Sequence, residues 1–187
     1  NLRKVLRSRI ALLTAFGDAG VFAQYTVLTA WLPTVYFEVH GLSLTEAGVA
    51  VGILPLMGMV VVPIAAVLSL RFARRRPVLI ISGVLAGVSG FGTFLFADTQ
   101  AMYPALIFVG IGSWFYLPCL MSIPMELPNA RPEEVSAIFA VIMSVGGGAT
   151  FLAPLVVGGL ADLLGTYIPG LTIFAVFAWT LVIAGIF

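Results

Sequence analysis

The sequence predicts an all-α membrane protein with six transmembrane helices and both termini cytoplasmic. Three observations carry this. Of the 187 residues, 61% are hydrophobic and 9% charged, whereas a soluble domain carries about 25% charged residues. Six apolar segments, near residues 10–37, 44–70, 77–96, 101–125, 133–161 and 168–187, are each long enough to cross about 30 Å of hydrocarbon. All nine basic residues fall on one side of that pattern. Arg3, Lys4, Arg7 and Arg9 precede the first segment, Arg71, Arg74, Arg75 and Arg76 separate the second from the third, and Arg131 separates the fourth from the fifth. The alternate connections, near 37–44, 97–101 and 162–168, hold no Lys or Arg. Short basic loops stay in the cytoplasm because translocating their charges is unfavourable.

Each element has a local reason. The first span is too long for a signal peptide and lacks a small-residue cleavage site; its length predicts tilt or extension beyond the bilayer. His40-Gly41 forms a turn, and Ser43 with Glu46 three residues on reads as a capping box opening the second helix. Pro77 opens the third, where its missing N–H costs little. Asp98 or Thr99 is placed to cap the fourth. Pro132 followed by Glu133 and Glu134 starts the fifth, with acids at the positive end of the helix dipole, and Gly165 ends it. The sixth span runs to Phe187 with no polar residue closing it, and the chain starts at Asn1. Both features create the expectation of a longer polypeptide.

Small residues recur at helical spacing: Ser136, Ala140, Ser144 and Gly148 in the fifth span; Ser82, Ala86 and Gly90 beside Gly83 and Gly87 in the third; Gly48 and Gly52 in the second. Such rows let helix backbones approach closely in lipid. Pro33, Pro55, Pro63, Pro118, Pro124 and Pro154 lie inside spans and predict kinks.

Asp18 is the one acid deep within a span. Starting from Arg9, it stands roughly 13 Å along the helix axis. An intramembrane carboxyl is costly and is by default a functional hypothesis. On a helical wheel Thr14, Asp18, Tyr25 and Thr29 share an arc of about 60°, and Gln24 sits on a flank about 100° from Tyr25. A narrow polar stripe of this kind suits a wet cavity. Asp18 is therefore a candidate proton, cation or substrate contact, with Gln24, Tyr25 and Thr29 as companions; the alternatives are a structural role, paired with an arginine near the cytoplasmic surface or bonded to a neighbouring helix, and snorkelling to the lipid surface. On the fourth span Ser113, Tyr116, Leu117, Leu120 and Pro124 share a face beside Trp114, a second candidate lining. Tyr103, Tyr167 and Trp31 are placed as interfacial anchors.

Other chemistry finds little support. His40 is the only histidine and Cys119 the only cysteine, so no metal cluster, cofactor site or intrachain disulfide framework is expected, and Cys119 reads as a small core hydrophobe. There is no P-loop, no HExxH pattern and no nucleophile–base constellation, which argues against an enzyme. The net charge of +1 gives no reason to expect nucleic acid.

The connection after the second span, Ala66-Val67-Leu68-Ser69-Leu70-Arg71-Phe72-Ala73-Arg74-Arg75-Arg76-Pro77, resembles the loop signature of the major facilitator superfamily, Gly-x-x-x-Asp-Arg-x-Gly-Arg-Arg. Arg71, Arg74 and Arg75 match its basic positions. Ala66 and Ala73 replace its glycines, and Leu70 replaces its Asp. The run Gly146-Gly147-Gly148 to Pro154, then Gly158-Gly159-Leu160-Ala161-Asp162 to Gly165, looks like the Gly/Pro-rich fifth or eleventh helix of the same superfamily. Ala30-Trp31-Leu32-Pro33 with Gly41-Leu42-Ser43 and Glu46-Ala47-Gly48 is similar to the cyanate and nitroimidazole permease group.

The resemblance implies that residues 1–187 form the C-terminal six-helix half of a twelve-helix secondary transporter in a bacterial plasma membrane. A second half in the same longer chain would be its partner. A small solute or ion, by symport or antiport, would bind between the halves and be exposed alternately to each side, with the first and fourth helices lining the path. The expected solute or proton contacts are Asp18, Gln24, Tyr25, Thr29, Ser113 and Tyr116. Arg71, Arg74 and Arg75 would gate the cytoplasmic side by pairing with acids. The rival readings are a self-contained six-helix transporter acting as a homodimer, a non-transporting membrane scaffold, and a polytopic membrane enzyme.

Overall fold

The structure, a computed structural model, describes residues 8–71, 75–127 and 131–187. Among these residues six helical spans are long and apolar enough to cross a bilayer, and no strand occurs. The first three are α1 (Arg9–Glu38), α2 (Leu44–Ser69) and α3 (Arg76–Leu95). The fourth, Met102–Glu126, consists of α4 (Met102–Phe115), α5 (Leu117–Ser122) and a 3-10 turn, Ile123–Glu126. The fifth is α6 (Pro132–Leu164), and the sixth divides into α7 (Ile168–Phe177) and α8 (Thr180–Ile186).

The helix ends follow local chemistry. At the start of α2 the Glu46 N–H donates to Ser43 Oγ at 3.2 Å and the Ser43 N–H donates to Glu46 Oε2 at 2.9 Å, a closed capping box. Gly41 and Gly165 both have φ of +68°, a left-handed conformation that glycine adopts without a side-chain penalty; Gly165 ends α6 with its N–H on the Ala161 carbonyl at 2.8 Å. Pro132 opens α6. The start of the fourth span departs from expectation. Ala101 occupies the cap position without a side-chain cap, and Thr99 Oγ1 accepts the Ala101 N–H at 3.2 Å. Asp98 is drawn instead to His40, Nδ1 to Oδ1 at 2.5 Å.

Proline acts differently along the chain. Pro33, Pro55, Pro63 and Pro154 lie within continuous helices. Pro118 coincides with a break: it has no N–H for the carbonyl of Trp114 four residues back, and the helix is interrupted at Tyr116. Pro124 sits in the 3-10 turn.

α1 is the central element. It packs most extensively on α6 and also touches α2, α7 and α8, while α3 packs on α4, α7 and α8, and α2 on α4. The core has two clusters, one around Ala15, Leu79, Leu120, Ile142 and Leu181 and one around Leu28, Leu32, Leu54, Leu106 and Leu171. Lipid tails are as apolar as leucine, so close packing rather than water exclusion holds these helices together. At Gly112 a β-carbon would lie 2.6 Å from the Ala86 backbone nitrogen, and at Gly83 it would lie 2.9 Å from that of Val182; only glycine permits these approaches.

Contacts identify the two ends of the bundle. At one, His40 meets Asp98, and the Tyr167 hydroxyl donates to Glu38 Oε2 at 3.4 Å. At the other, Arg75 meets Glu126 at 2.5 Å and the Arg9 guanidinium lies over the Phe187 ring, 5.1 Å from its centroid.

Candidate functional site

Asp18 is 5% exposed and is the one charged residue buried among the described residues. The Tyr116 hydroxyl donates to Asp18 Oδ1 at 3.0 Å. Tyr116 is itself fully buried and stands at the break between α4 and α5. On the other side α6 comes close: a β-carbon at Gly146 would lie 3.1 Å from Asp18 Oδ2, so the glycine leaves room for the carboxyl. The ion pairs among the described residues are His40–Asp98 and Arg75–Glu126. Asp18 is thus held by a phenol and not by an arginine.

The carboxyl forms part of the wall of a cleft of about 240 Å³. Phe22 from α1, Leu117 and Met121 from α5 and Met143 from α6 make its apolar sides; Asp18 and Thr150 bring polar atoms, and Gly146 and Gly147 bring backbone. Met143 and Gly147 are exposed, so the cleft is open on the α6 side. Beside it Trp114 stands edge-on to Phe22 and Tyr25, with ring centroids 5.4 and 5.2 Å away. Oxygen ligands and aromatic faces together suit a proton, a cation or a small polar solute. Among the described residues no group of three or more His, Cys, Asp or Glu side chains gathers to hold a metal.

The profile of the Major Facilitator Superfamily matches residues 1–154. The chain belongs to this superfamily. It is also 29% identical over 174 residues to a protein of Thermus thermophilus described as "Probable nitrate/nitrite antiporter NarK1"; the match covers 84% of this chain and 38% of the relative. The chain therefore spans well under two thirds of that relative's length. Six apolar spans and superfamily membership make it a multi-pass membrane protein. Neither match bears on the cyanate and nitroimidazole permease group.

Within this facilitator chain the expected polar stripe divides. Thr14 Oγ1 bonds back to the Ile10 carbonyl at 2.7 Å, and Thr29 Oγ1 bonds to the Tyr25 and Thr26 carbonyls, both at 3.0 Å. Their hydroxyls are satisfied within α1, as is common for Thr in helices. Tyr25 is half-buried against Trp114. Gln24 points elsewhere: its Nε2 donates to the Ala86 carbonyl of α3 at 3.0 Å, and its Oε1 is buried without a partner among the described residues. Ser113 is also buried with an unpaired hydroxyl and does not line the cleft. The structure thus joins Asp18 directly to Tyr116, sets Tyr25 one aromatic ring away, and leaves Gln24, Thr29 and Ser113 outside the cleft.

Sequence reasoning missed the contribution of α6, above all Thr150. The available signal was a polar residue one turn beyond Gly146, just past the Gly146-Gly147-Gly148 run. In the superfamily loop Arg75 is anchored: its guanidinium donates to Glu126 Oε1 and to the Ser69 carbonyl, each at 2.5 Å. The Glu126 carboxylate holds the Arg75 guanidinium above its ordinary range, so this cation is permanent. Arg71 is exposed with no ion-pair partner among the described residues, and Arg74 lies outside them.

Proposed function

We propose that this chain is one six-helix half of a proton-coupled secondary transporter that moves a small solute by alternating access, with both of its ends cytoplasmic. The superfamily match and the antiporter relative support a transporter rather than an enzyme. The observation that carries the coupling is the Asp18–Tyr116 pair at the wall of an open cleft. A lone carboxyl in a span is expensive to keep and marks a functional candidate. In the proposed cycle Asp18 takes up a proton on one side and releases it on the other, and Tyr116 holds the carboxyl towards the cleft in between. Arg75 with Glu126 closes the cytoplasmic end in one state and parts in the other, and Arg71 and Arg74 are the further gating cations of the proposal.

Solute identity is narrowed by charge. No Lys or Arg lies in the interior of any span of this chain. If the solute is an anion of the nitrate or nitrite kind, its positive partner belongs to the remainder of the longer protein.

The test is uptake into vesicles by the full-length protein, with nitrate and nitrite as probe solutes and an imposed pH gradient. Asp18→Asn is expected to abolish gradient-driven accumulation while solute exchange and folding persist. Tyr116→Phe is expected to keep transport but shift its pH profile. Unchanged uptake and pH dependence in Asp18→Asn would overturn the reading.

A further inference from the structure

A second cavity, of about 330 Å³, lies at the basic end of the bundle, between the starts of α1 and α3, the end of the fourth span and the end of α8. It is separate from the Asp18 cleft and shares no lining residue with it. Its volume falls at the small end of the range for ligand pockets.

Its chemistry is divided. Seven of the eleven described lining residues are apolar, Leu13, Leu79 and Phe187 among them. Against these walls stand two cations and one anion, Arg75, Arg76 and Glu126. Glu126 is committed to Arg75 at 2.5 Å, which fixes the direction of that guanidinium. Arg76 is exposed and has no hydrogen-bond or ion-pair partner among the described residues. A third guanidinium, that of Arg9, lies over the ring of Phe187, itself part of the wall. Among the described residues three arginines against one glutamate leave a net charge of about +2 at the rim of an apolar cavity, at the ends of the membrane-spanning helices, where cations attract anionic headgroups.

We propose that this cavity binds an anionic membrane lipid, its phosphodiester held by Arg76 with Arg75 and Arg9 beside it and the first part of an acyl chain lying on the apolar walls. A guanidinium recognises phosphate oxygens through paired N–H donors. A small hydrated anion would use the arginines but gain nothing from the apolar walls. A zwitterionic lipid would bring a cationic head into a rim that is already positive. An anionic lipid satisfies both parts of the site. Bound there, it would join α1, α3 and α8 at the end where Arg75 meets Glu126.

The test uses the full-length protein equilibrated with mixed phosphatidylglycerol and phosphatidylcholine, purified in mild detergent, with retained lipid read by native mass spectrometry. Phosphatidylglycerol is expected to be retained over phosphatidylcholine. Arg76→Gln is expected to lower retention about fivefold, the effect of one surface cation on anionic lipid. Arg76 is exposed and unpaired, so that variant folds. Leu13→Trp, which fills the cavity without altering charge, is expected to lower retention as well. Equal retention of both lipids, or retention unchanged in Arg76→Gln, would overturn the proposal. Displacement of the lipid by inorganic phosphate would overturn it in favour of a soluble-anion site. None of these readouts depends on proton coupling or on the identity of the transported solute.

Discussion

Rows of small residues run down both α3 and α6, but only the row on α3 is covered. Ser82, Gly83, Ala86, Gly87 and Gly90 are buried, whereas Ser136, Ala140, Ser144 and Gly148 are exposed. A β-carbon at Gly83 would press on the backbone of α8, while β-carbons at Gly147 and Gly148 would meet nothing within 4 Å. Spacing alone tells that a helix can be approached closely. It does not tell whether the approaching helix belongs to the same bundle. On α3 this chain supplies the neighbour, and the row becomes a fixed internal seam. On α6 the row is left open beside the Asp18 cleft, the face that the proposed function would offer to a second six-helix half.

Three experiments would break or sharpen that contrast. The largest effect is expected at the seam. Gly112→Ala, whose methyl would enter the α3 backbone, should lower stability by about 1–3 kcal/mol. Gly148→Ala should leave it unchanged or raise it by up to about 1 kcal/mol through helix propensity. Unfolding midpoints in detergent decide, and equal losses at both positions would erase the distinction. Next comes accessibility. Thr150→Cys should react with a water-soluble thiol reagent at least an order of magnitude faster than Ser82→Cys, because Thr150 lines the cleft and Ser82 is 1% exposed; equal rates would mean that the cleft is closed to water. The smallest effect is expected for Gln24→Leu. It removes the bond to Ala86 but also a buried unpaired oxygen, so the net change should stay within about 1 kcal/mol. A markedly larger loss, measured in the same unfolding assay, would reveal a further partner on Oε1.

Much of the fold was legible because the membrane imposes it. Apolar runs set the spans, and Ser43 with Glu46, Pro132 and Gly165 set their ends by chemistry confined to a few neighbouring residues. Asp18 was legible for the opposite reason, as a charge where none is cheap. Tyr116 was singled out through its helix face, and the structure sets its hydroxyl on Asp18. What escaped was whatever depends on the partner across a gap. The flank of α1 that carries Gln24 meets α3 and not the cleft, which a helical wheel does not register. Thr150 enters the site only because α6 packs along α1. Asp98, read as a helix cap, is claimed by His40, 58 residues away in sequence, and Arg75 by Glu126, 51 residues away.

The interruption at Tyr116 has a mechanical consequence. It divides the fourth span into α4 and α5 at a residue that keeps helical dihedrals, φ −75° and ψ −22°, so if the span bends there the knee falls at the residue that holds Asp18. The segment beyond it, α5 and its 3-10 turn to Glu126, makes a lever arm of roughly 15 Å. A swing of about 10° at the knee would carry its tip some 2–3 Å, enough to part a salt bridge, yet would scarcely displace a side chain at the fulcrum. A movement that opens the Arg75–Glu126 end therefore need not disturb the phenol–carboxyl bond, whereas a small rotation of the knee driven from Asp18 would arrive at that end magnified.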